Sequence, residues 1–140
     1  MKRLHMAVMV AAFLVEPGLA NAQDASVGQS EFMNSCAQCH GVAGKGDGVM
    51  AGFLATRAPD LTQLQKTNGG VFPFARVYNV VNGEMPVGPH GSREMPAWGR
   101  RYAERTPEML GFEFTAEDQQ IFVRGRILAL VEYISTLQEP

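Results

Sequence analysis

Apolar side chains recur at three- and four-residue spacing in two stretches of the chain, which is the period of an amphipathic helix. The first stretch covers residues 72–82 and places four apolar side chains on one face: Phe74, Val77, Tyr78 and Val81. Gly83 follows directly and suits the left-handed turn that often ends a helix. We therefore predict a helix from Phe72 to Asn82.

A second and longer amphipathic stretch runs from Thr115 to about Leu137. Thr115 and Asp118 stand at the spacing of a capping box, which marks a helix start. The predicted buried stripe consists of Ile127, Leu130, Val131, Ile134 and Leu137. Gly125 lies inside this helix and lowers its propensity by about 1 kcal/mol. A glycine at this position would allow another backbone to approach closely.

The rest of the chain is predicted to form shorter helices and long loops. A first helix spans residues 26–35, and a short one follows Pro59 and ends near Lys66. Residues 41–52 hold five glycines and form an open loop, and residues 84–114 are mostly loop. Apolar and polar residues nowhere alternate for more than a few positions, so the fold class is all-α. A loop as long as 84–114 fits a small domain when a cofactor supplies a surface for it.

The N-terminal residues have the pattern of an export signal. Two basic residues precede an apolar run of about ten residues from Met6 to Val15, and Ala20-Asn21-Ala22 offers small residues for cleavage. The apolar run is too short to span a bilayer, which takes roughly 20 residues. We predict that residues 1–22 are removed and that residues 23–140 form one domain in the periplasm. An uncleaved anchor at the membrane surface is the alternative.

Composition and charge exclude some classes of protein. The chain has 140 residues, of which 46% are hydrophobic and 19% charged, and this is ordinary for one globular domain. The net charge of -2 gives no reason to expect a nucleic acid or an acidic membrane as partner. No segment after residue 22 is apolar enough to cross a membrane, so we expect no transmembrane anchor in the mature chain.

Both cysteines belong to one motif, Cys36-Ala37-Gln38-Cys39-His40. Two cysteines in an exported protein first suggest a disulfide, and this spacing can form a redox-active pair. Such a pair follows a β-strand, whereas residues 27–35 predict a helix. Zinc needs further ligands, and only His5 and His90 remain. The third interpretation, which we favour, is covalent haem attachment by the pattern Cys-x-x-Cys-His.

In this interpretation, thioether bonds from Cys36 and Cys39 hold the porphyrin edge, and the imidazole of His40 binds the iron. The other axial site has six candidate ligands: Met33, Met50, Met85, Met95, Met109 and His90. Met85 and Met95 each precede a proline, which makes the approach to iron rigid.

We predict Met95 as the second axial ligand and keep Met85 as the alternative. Met95 has the better setting, because Trp98 supplies an apolar wall and Gly99 a tight turn. A site held by His90, or left open, is a further alternative.

With these features in order, the chain resembles the class I c-type cytochromes over essentially all of residues 26–138. The matching positions are Gly28 and Phe32, Cys36-Ala37-Gln38-Cys39-His40, Pro59-Asp60-Leu61, Met95-Pro96 and Leu130-Val131-Glu132-Tyr133-Ile134. The resemblance implies a cytochrome c fold, with about four to five helices and long loops wrapped around one covalent haem c. Residues 90–99 look like a bacterial subgroup, which supports Met95. Residues 79–86 resemble the shorter ligand loop of small bacterial cytochromes, which keeps Met85 open.

The resemblance also implies roles for residues around the haem. The first and last helices are implied to cross at Gly28, Phe32, Leu130 and Tyr133. The carbonyl oxygen of Pro59 is implied to accept a hydrogen bond from the proximal imidazole, which orients the ring. We place Pro59 and Trp98 in the haem pocket.

The function implied is one-electron transfer in a respiratory chain, without an enzymatic reaction. The expected partners of this monomeric periplasmic carrier are redox proteins, namely a dehydrogenase, a quinol-oxidising complex or a terminal oxidase. One alternative is a haem c subunit bound to a dehydrogenase or oxidase. Another is a haem sensor or peroxidatic protein whose sixth iron site is open.

Overall fold

A computed structural model of the chain describes residues 27–85, 102, 104–106, 111 and 113–140. All regular structure in these residues is helical, and none of them belongs to a β-strand. The prediction of an all-α fold is therefore confirmed. The predicted signal sequence, residues 1–22, lies outside the described residues, and so does Ser26, where the first helix was expected to begin.

The first helix, α1, is described from residue 27 to residue 40. It contains a π-helical turn at Phe32–Cys36 and ends with an α-helical turn at Ala37–His40. The predicted end near residue 35 was wrong, because the π-helical turn lets the helix continue through the whole cysteine motif. A π-helical turn inside an α-helix is frequent at functional sites.

Three short helical turns lie between the cysteine motif and the next long helix: 3₁₀ turns at Ala51–Phe53 and Leu61–Gln63, and helix α2 at Leu64–Thr67. The predicted loop over residues 41–52 is confirmed up to residue 50, where the first 3₁₀ turn follows. The predicted short helix after Pro59 is confirmed as well, although it begins as a 3₁₀ turn.

Helix α3, Phe74–Asn82, ends at Gly83, whose φ of 83° is left-handed as the sequence predicted. The helix begins two residues later than expected from the apolar pattern. Pro73 explains the difference, because a proline disfavours helical geometry in the residue before it. Val81 is the fully buried residue of α3 and joins the core.

The last helix, α4, covers Ala116–Thr136. Its predicted capping box is confirmed: the Asp118 N–H donates to the Thr115 hydroxyl at 3.2 Å, and the Thr115 N–H donates to the Asp118 carboxylate at 2.9 Å. Gly125 is exposed, and a Cβ atom added there would meet no atom of the described residues within 4 Å. None of these residues makes the close approach that a glycine would allow there. Within the described ranges, no helix combines the length and the apolar character that a membrane crossing needs.

Helices α1 and α4 cross at Gly28, where a Cβ atom would run into the backbone carbonyl of Ala129. Beside this contact the rings of Phe32 and Tyr133 pack with centroids 5.4 Å apart. The buried core consists of Phe32, Cys36, Val81, Ile127, Leu130, Val131 and Ile134. The predicted stripe of α4 is buried except for Leu137, which is half-buried. The end of α1 thus lies against the core that α3 and α4 complete.

Residues 102 and 104–106 are helical, inside a stretch that the sequence predicted to be mostly loop. The hydroxyl of the fully buried Thr106 donates to the carbonyl oxygen of Tyr102 at 2.7 Å, across one helical turn. Tyr102 itself packs against the core. These contacts form a helical turn where the glycines and prolines around it suggested none.

Candidate functional site

The two cysteine side chains lie on the last turns of α1. Cys36 is the final residue of the π-helical turn, and Cys39 follows three residues later, so both lie on the same side of the helix. Both sulfur atoms are free thiols rather than a disulfide. Cys36 is buried and Cys39 is half-buried. The spacing and the shared side suit two bonds to one edge of a flat ligand.

The chain folds back on this helical end directly after His40. Gly41, with a φ of 80°, ends the helix, and the Gly46 N–H then donates to the His40 carbonyl oxygen at 2.7 Å. Further along, the Gly48 N–H bonds to Cys39 at 3.2 Å, while the Met50 N–H bonds to Gln38 at 2.9 Å. The last carbonyl groups of α1 are thereby satisfied by the loop, which fixes the cysteine motif in place.

His40 is buried and its ring is oriented by Pro59. The Nδ1 atom lies 3.1 Å from the carbonyl oxygen of Pro59, 19 residues further along the chain. A carbonyl oxygen can only accept, so Nδ1 carries the proton and the ring lone pair is on Nε2. This tautomer leaves Nε2 as the nitrogen with the lone pair that a metal ligand needs. The contact that the resemblance implied for Pro59 is present in the structure.

The segment that carries Pro59 is itself held on both sides. The Asp60 carboxylate accepts from the Thr62 N–H at 2.8 Å and from the Thr62 hydroxyl at 2.6 Å. The Leu61 N–H donates to the Gly44 carbonyl oxygen at 2.7 Å, which ties this segment to the loop after the cysteine motif. The hydrogen bonds from Thr62 hold the pKa of the Asp60 carboxyl below its usual value.

The surroundings of Cys36 disfavour a thiolate. Burial raises the pKa of the Cys36 thiol to about 12, and the negative charge of Glu31 acts in the same direction. A cysteine with a raised pKa is a poor match for a redox-active pair, which depends on a lowered one. A thioether carries no charge and suits this apolar position at the core.

The donor set fits a covalently attached haem. Two neighbouring thiols can bond to the porphyrin edge, and a buried imidazole in a fixed tautomer can bind iron. Among the described residues, no group of three or more His, Cys, Asp and Glu side chains could hold a metal ion.

The structure brings together four of the predicted site residues: Cys36, Cys39, His40 and Pro59. Met85, the alternative axial ligand, lies three residues after α3 and is half-buried, and its N–H donates to the Asn79 carbonyl oxygen at 3.2 Å. Met95 and Trp98 lie outside the described residues, as does His90.

A buried polar cluster that was not predicted from the sequence lies at the crossing of α1 and α4. The carboxylate of Glu31 is buried, forms an ion pair with Arg126 on α4, and accepts from the Tyr102 hydroxyl at 2.7 Å. Burial and the hydrogen bond to Glu31 raise the pKa of the Tyr102 hydroxyl. One signal was available: Glu31 stands between Gly28 and Phe32, on a helix face that is otherwise small or apolar.

Comparison with known proteins identifies one family. The sequence profile of the family described as cytochrome c matches residues 25–138, which is most of the chain. No curated protein and no solved structure gives a significant match. The profile begins just before α1 and ends just after α4, so it covers the cysteine motif, Pro59 and the helix crossing together.

Proposed function

The chain belongs to the cytochrome c family, which binds haem c covalently and transfers electrons through its iron, and we propose that it is a one-electron carrier of the periplasm. The thioethers are formed by Cys36 and Cys39, and His40 is the first axial ligand. The carrier catalyses no reaction of its own. It exchanges electrons with redox proteins such as a dehydrogenase, a quinol-oxidising complex or a terminal oxidase.

The contact between His40 and Pro59 is the observation that carries this proposal. A histidine directly after two neighbouring thiols, with Nδ1 bonded to a carbonyl oxygen at 3.1 Å, has the tautomer that an axial ligand requires. The raised pKa of Cys36 supports the same interpretation.

The protein's own residues would make electron transfer fast because they restrain the haem attachment site and keep its geometry the same in both redox states. When bound, the haem iron supplies the one-electron couple. Two thioethers on one helical end restrain the ring edge, and the Pro59 carbonyl group restrains rotation of the His40 imidazole. The loop from Gly41 to Met50 satisfies the helix end, so the whole attachment site is held by backbone hydrogen bonds. A site that does not rearrange needs little reorganisation when the iron changes charge.

The second axial ligand is proposed to be Met95, with Met85 as the alternative. A methionine thioether favours the reduced iron and raises the potential. Both candidates precede a proline in the sequence, and proline makes the backbone of a ligand loop rigid. The backbone bond from Met85 to Asn79 anchors Met85 to the end of α3.

Export is proposed from the sequence alone. Residues 1–22 have the pattern of a cleaved signal, and residues 23–140 would then form one haem domain. A monomer of this size with a haem edge near its surface can meet a donor and an acceptor in turn. We therefore propose a shuttle, and a haem c subunit bound to a dehydrogenase or oxidase is the alternative.

A redox titration tests the proposed function. The protein should be produced in a bacterial host that attaches haem to c-type cytochromes, and its optical spectrum followed against the applied potential. We expect one reversible one-electron transition and no binding of carbon monoxide to the reduced protein. The variant His40→Ala, which keeps both cysteines, should lose this spectrum. A wild-type protein that binds carbon monoxide readily would instead point to an open sixth site.

A further inference from the structure

Gln138 follows the end of α4, and both the nitrogen and the oxygen of its side-chain amide form hydrogen bonds. The Nε2 group donates to the carbonyl oxygens of Leu61 at 2.8 Å and Ile134 at 2.9 Å, and Oε1 accepts from the Gln65 N–H at 2.8 Å. Carbonyl oxygens only accept and a backbone N–H only donates, so the orientation of this amide is determined by its partners. Gln138 therefore links the C-terminal end of α4 to the segment from Leu61 to Gln65.

The segment held by Gln138 is the one that carries Pro59. Leu61 is two residues after Pro59, and it is bonded on both sides: its N–H donates to Gly44 at 2.7 Å and its carbonyl accepts from Gln138. The next carbonyl, that of Thr62, accepts from the Glu139 N–H at 2.9 Å. Hydrogen bonds therefore tie this short segment both to the C-terminal residues and to the loop after the cysteine motif.

We propose that Gln138 is a positioning residue for the axial histidine, acting through the Pro59 carbonyl group. The inference rests on the proposed function, in which His40 binds the haem iron. The chain of contacts runs from Gln138 to Leu61, along two peptide units to Pro59, and from there to Nδ1 of His40. Loss of the Gln138 amide removes this link between the end of α4 and the Leu61 carbonyl group, and lets the Pro59 oxygen move away from the ring.

The consequence of such a movement is electronic as well as structural. A hydrogen bond from Nδ1 to a carbonyl oxygen makes the imidazole a stronger electron donor. A stronger donor stabilises the more positive, oxidised iron and lowers the reduction potential. Weakening this bond is therefore expected to raise the potential, and to expose the Nδ1 proton to exchange with solvent.

Gln138→Ala in the haem-loaded protein tests the proposal. In the reduced state we expect the His40 Nδ1 proton to exchange about tenfold faster by NMR, the change that loss of one net hydrogen bond produces, and the midpoint potential to rise. Gln138→Glu is the second variant, because it keeps the acceptor for Gln65 but turns a carboxylate oxygen towards two carbonyl groups. It should shift both quantities in the same direction.

Thr136→Ala is the matched control, because its exposed hydroxyl donates only within α4, to Tyr133 at 2.7 Å. We expect wild-type exchange and potential in this variant. If Gln138→Ala and Gln138→Glu lower only the melting temperature, with exchange and potential unchanged, Gln138 is merely structural and the proposal is wrong. If the NMR spectrum of the wild-type protein shows no chemical shifts of His40 ring protons that are displaced by a haem, the proposed function is wrong, and so is the inference that rests on it.

Discussion

Gly28 of α1 lies directly against the carbonyl group of Ala129 on α4. A Cβ atom at Gly28 would overlap that carbonyl and come within 2.8 Å of the Tyr133 Cβ atom. The two helices can cross at this distance only because α1 has no side chain there. We therefore expect Gly28→Ala to destabilise the haem-loaded protein by about 3 kcal/mol, measured by denaturant unfolding.

Gly125→Ala is the matched control, since Gly125 is also a helical glycine but is exposed and has no atom of the described residues within 4 Å of an added Cβ atom. Alanine is the better helix former, so this variant should stabilise the protein by about 0.5–1 kcal/mol. Opposite signs for the two glycines would confirm that contact, rather than helix propensity, determines the effect at Gly28. Equal effects would contradict the crossing described above.

The sequence predicted the helices better than it predicted their contacts. The capping box at Thr115 and the glycine stop at Gly83 follow from local chemistry, and the structure confirms both. The extension of α1 beyond residue 35 depends on a π-helical turn, which no periodic pattern indicates. The solvent exposure of Gly125 depends on the path of other segments, so the sequence around it could not indicate that exposure.

The buried ion pair between Glu31 and Arg126 gives a second stability prediction. Arg126→Met leaves the Glu31 carboxylate in the core with only the Tyr102 hydroxyl as the partner described above, and an uncompensated buried charge is costly. We expect a loss of about 3 kcal/mol in the free energy of unfolding. Arg124→Met, which removes an exposed arginine from the same helix, should change it by less than about 0.5 kcal/mol.

A double variant separates the charge from the packing. Glu31→Met combined with Arg126→Met removes both charges and fills the site with apolar atoms, which is often close to neutral. The double variant should therefore be more stable than Arg126→Met alone. A double variant that is less stable than Arg126→Met alone would show that charge pairing is not the reason.

Acid should weaken the fold partly through Asp60 and Asp118. Hydrogen bonds from Thr62 lower the pKa of Asp60, and those from Thr115 lower the pKa of Asp118. The unfolded chain then binds protons more readily than the native one, so stability is present above the ordinary carboxyl pKa and is lost as the pH falls through the native values. Between about pH 5 and pH 3, the unfolding free energy should decrease.

The contribution of these two carboxyl groups can be isolated with asparagine. Asp60→Asn and Asp118→Asn keep a side-chain acceptor but cannot titrate, so the slope of unfolding free energy against pH should be smaller in the double variant. Glu132→Gln, in an exposed part of α4, serves as the control and should keep the wild-type slope. An unchanged slope in the double variant would place the acid sensitivity elsewhere.

Two methionine variants distinguish the candidates for the second axial ligand. Met95→Ala should give a high-spin haem and lower the reduction potential by more than about 100 mV, because the axial ligand has a large influence on the potential. Met85→Ala should leave both the spectrum and the potential nearly unchanged. The reverse result would assign the role to Met85.

The attachment half of the site could be predicted from the sequence, because its residues are adjacent along the chain. Cys36, Cys39 and His40 follow one another within one helical end, and their order and spacing predict haem attachment. The contribution of Pro59 came from family resemblance, since 19 residues separate it from His40. Nothing local marks Gln138, and Glu31 is marked only by its position on a helix face that is otherwise small or apolar. The roles of both residues depend on segments that meet only in the folded protein.

Mass spectrometry of the peptide that contains Cys36 and Cys39 tests the central claim most directly. The protein should be exported by a host that matures c-type cytochromes, and the peptide analysed without reduction. We predict one haem bonded to both sulfur atoms, on a chain that begins at Gln23. A haem-free peptide with two thiols, or with a disulfide between the cysteines, would contradict the account.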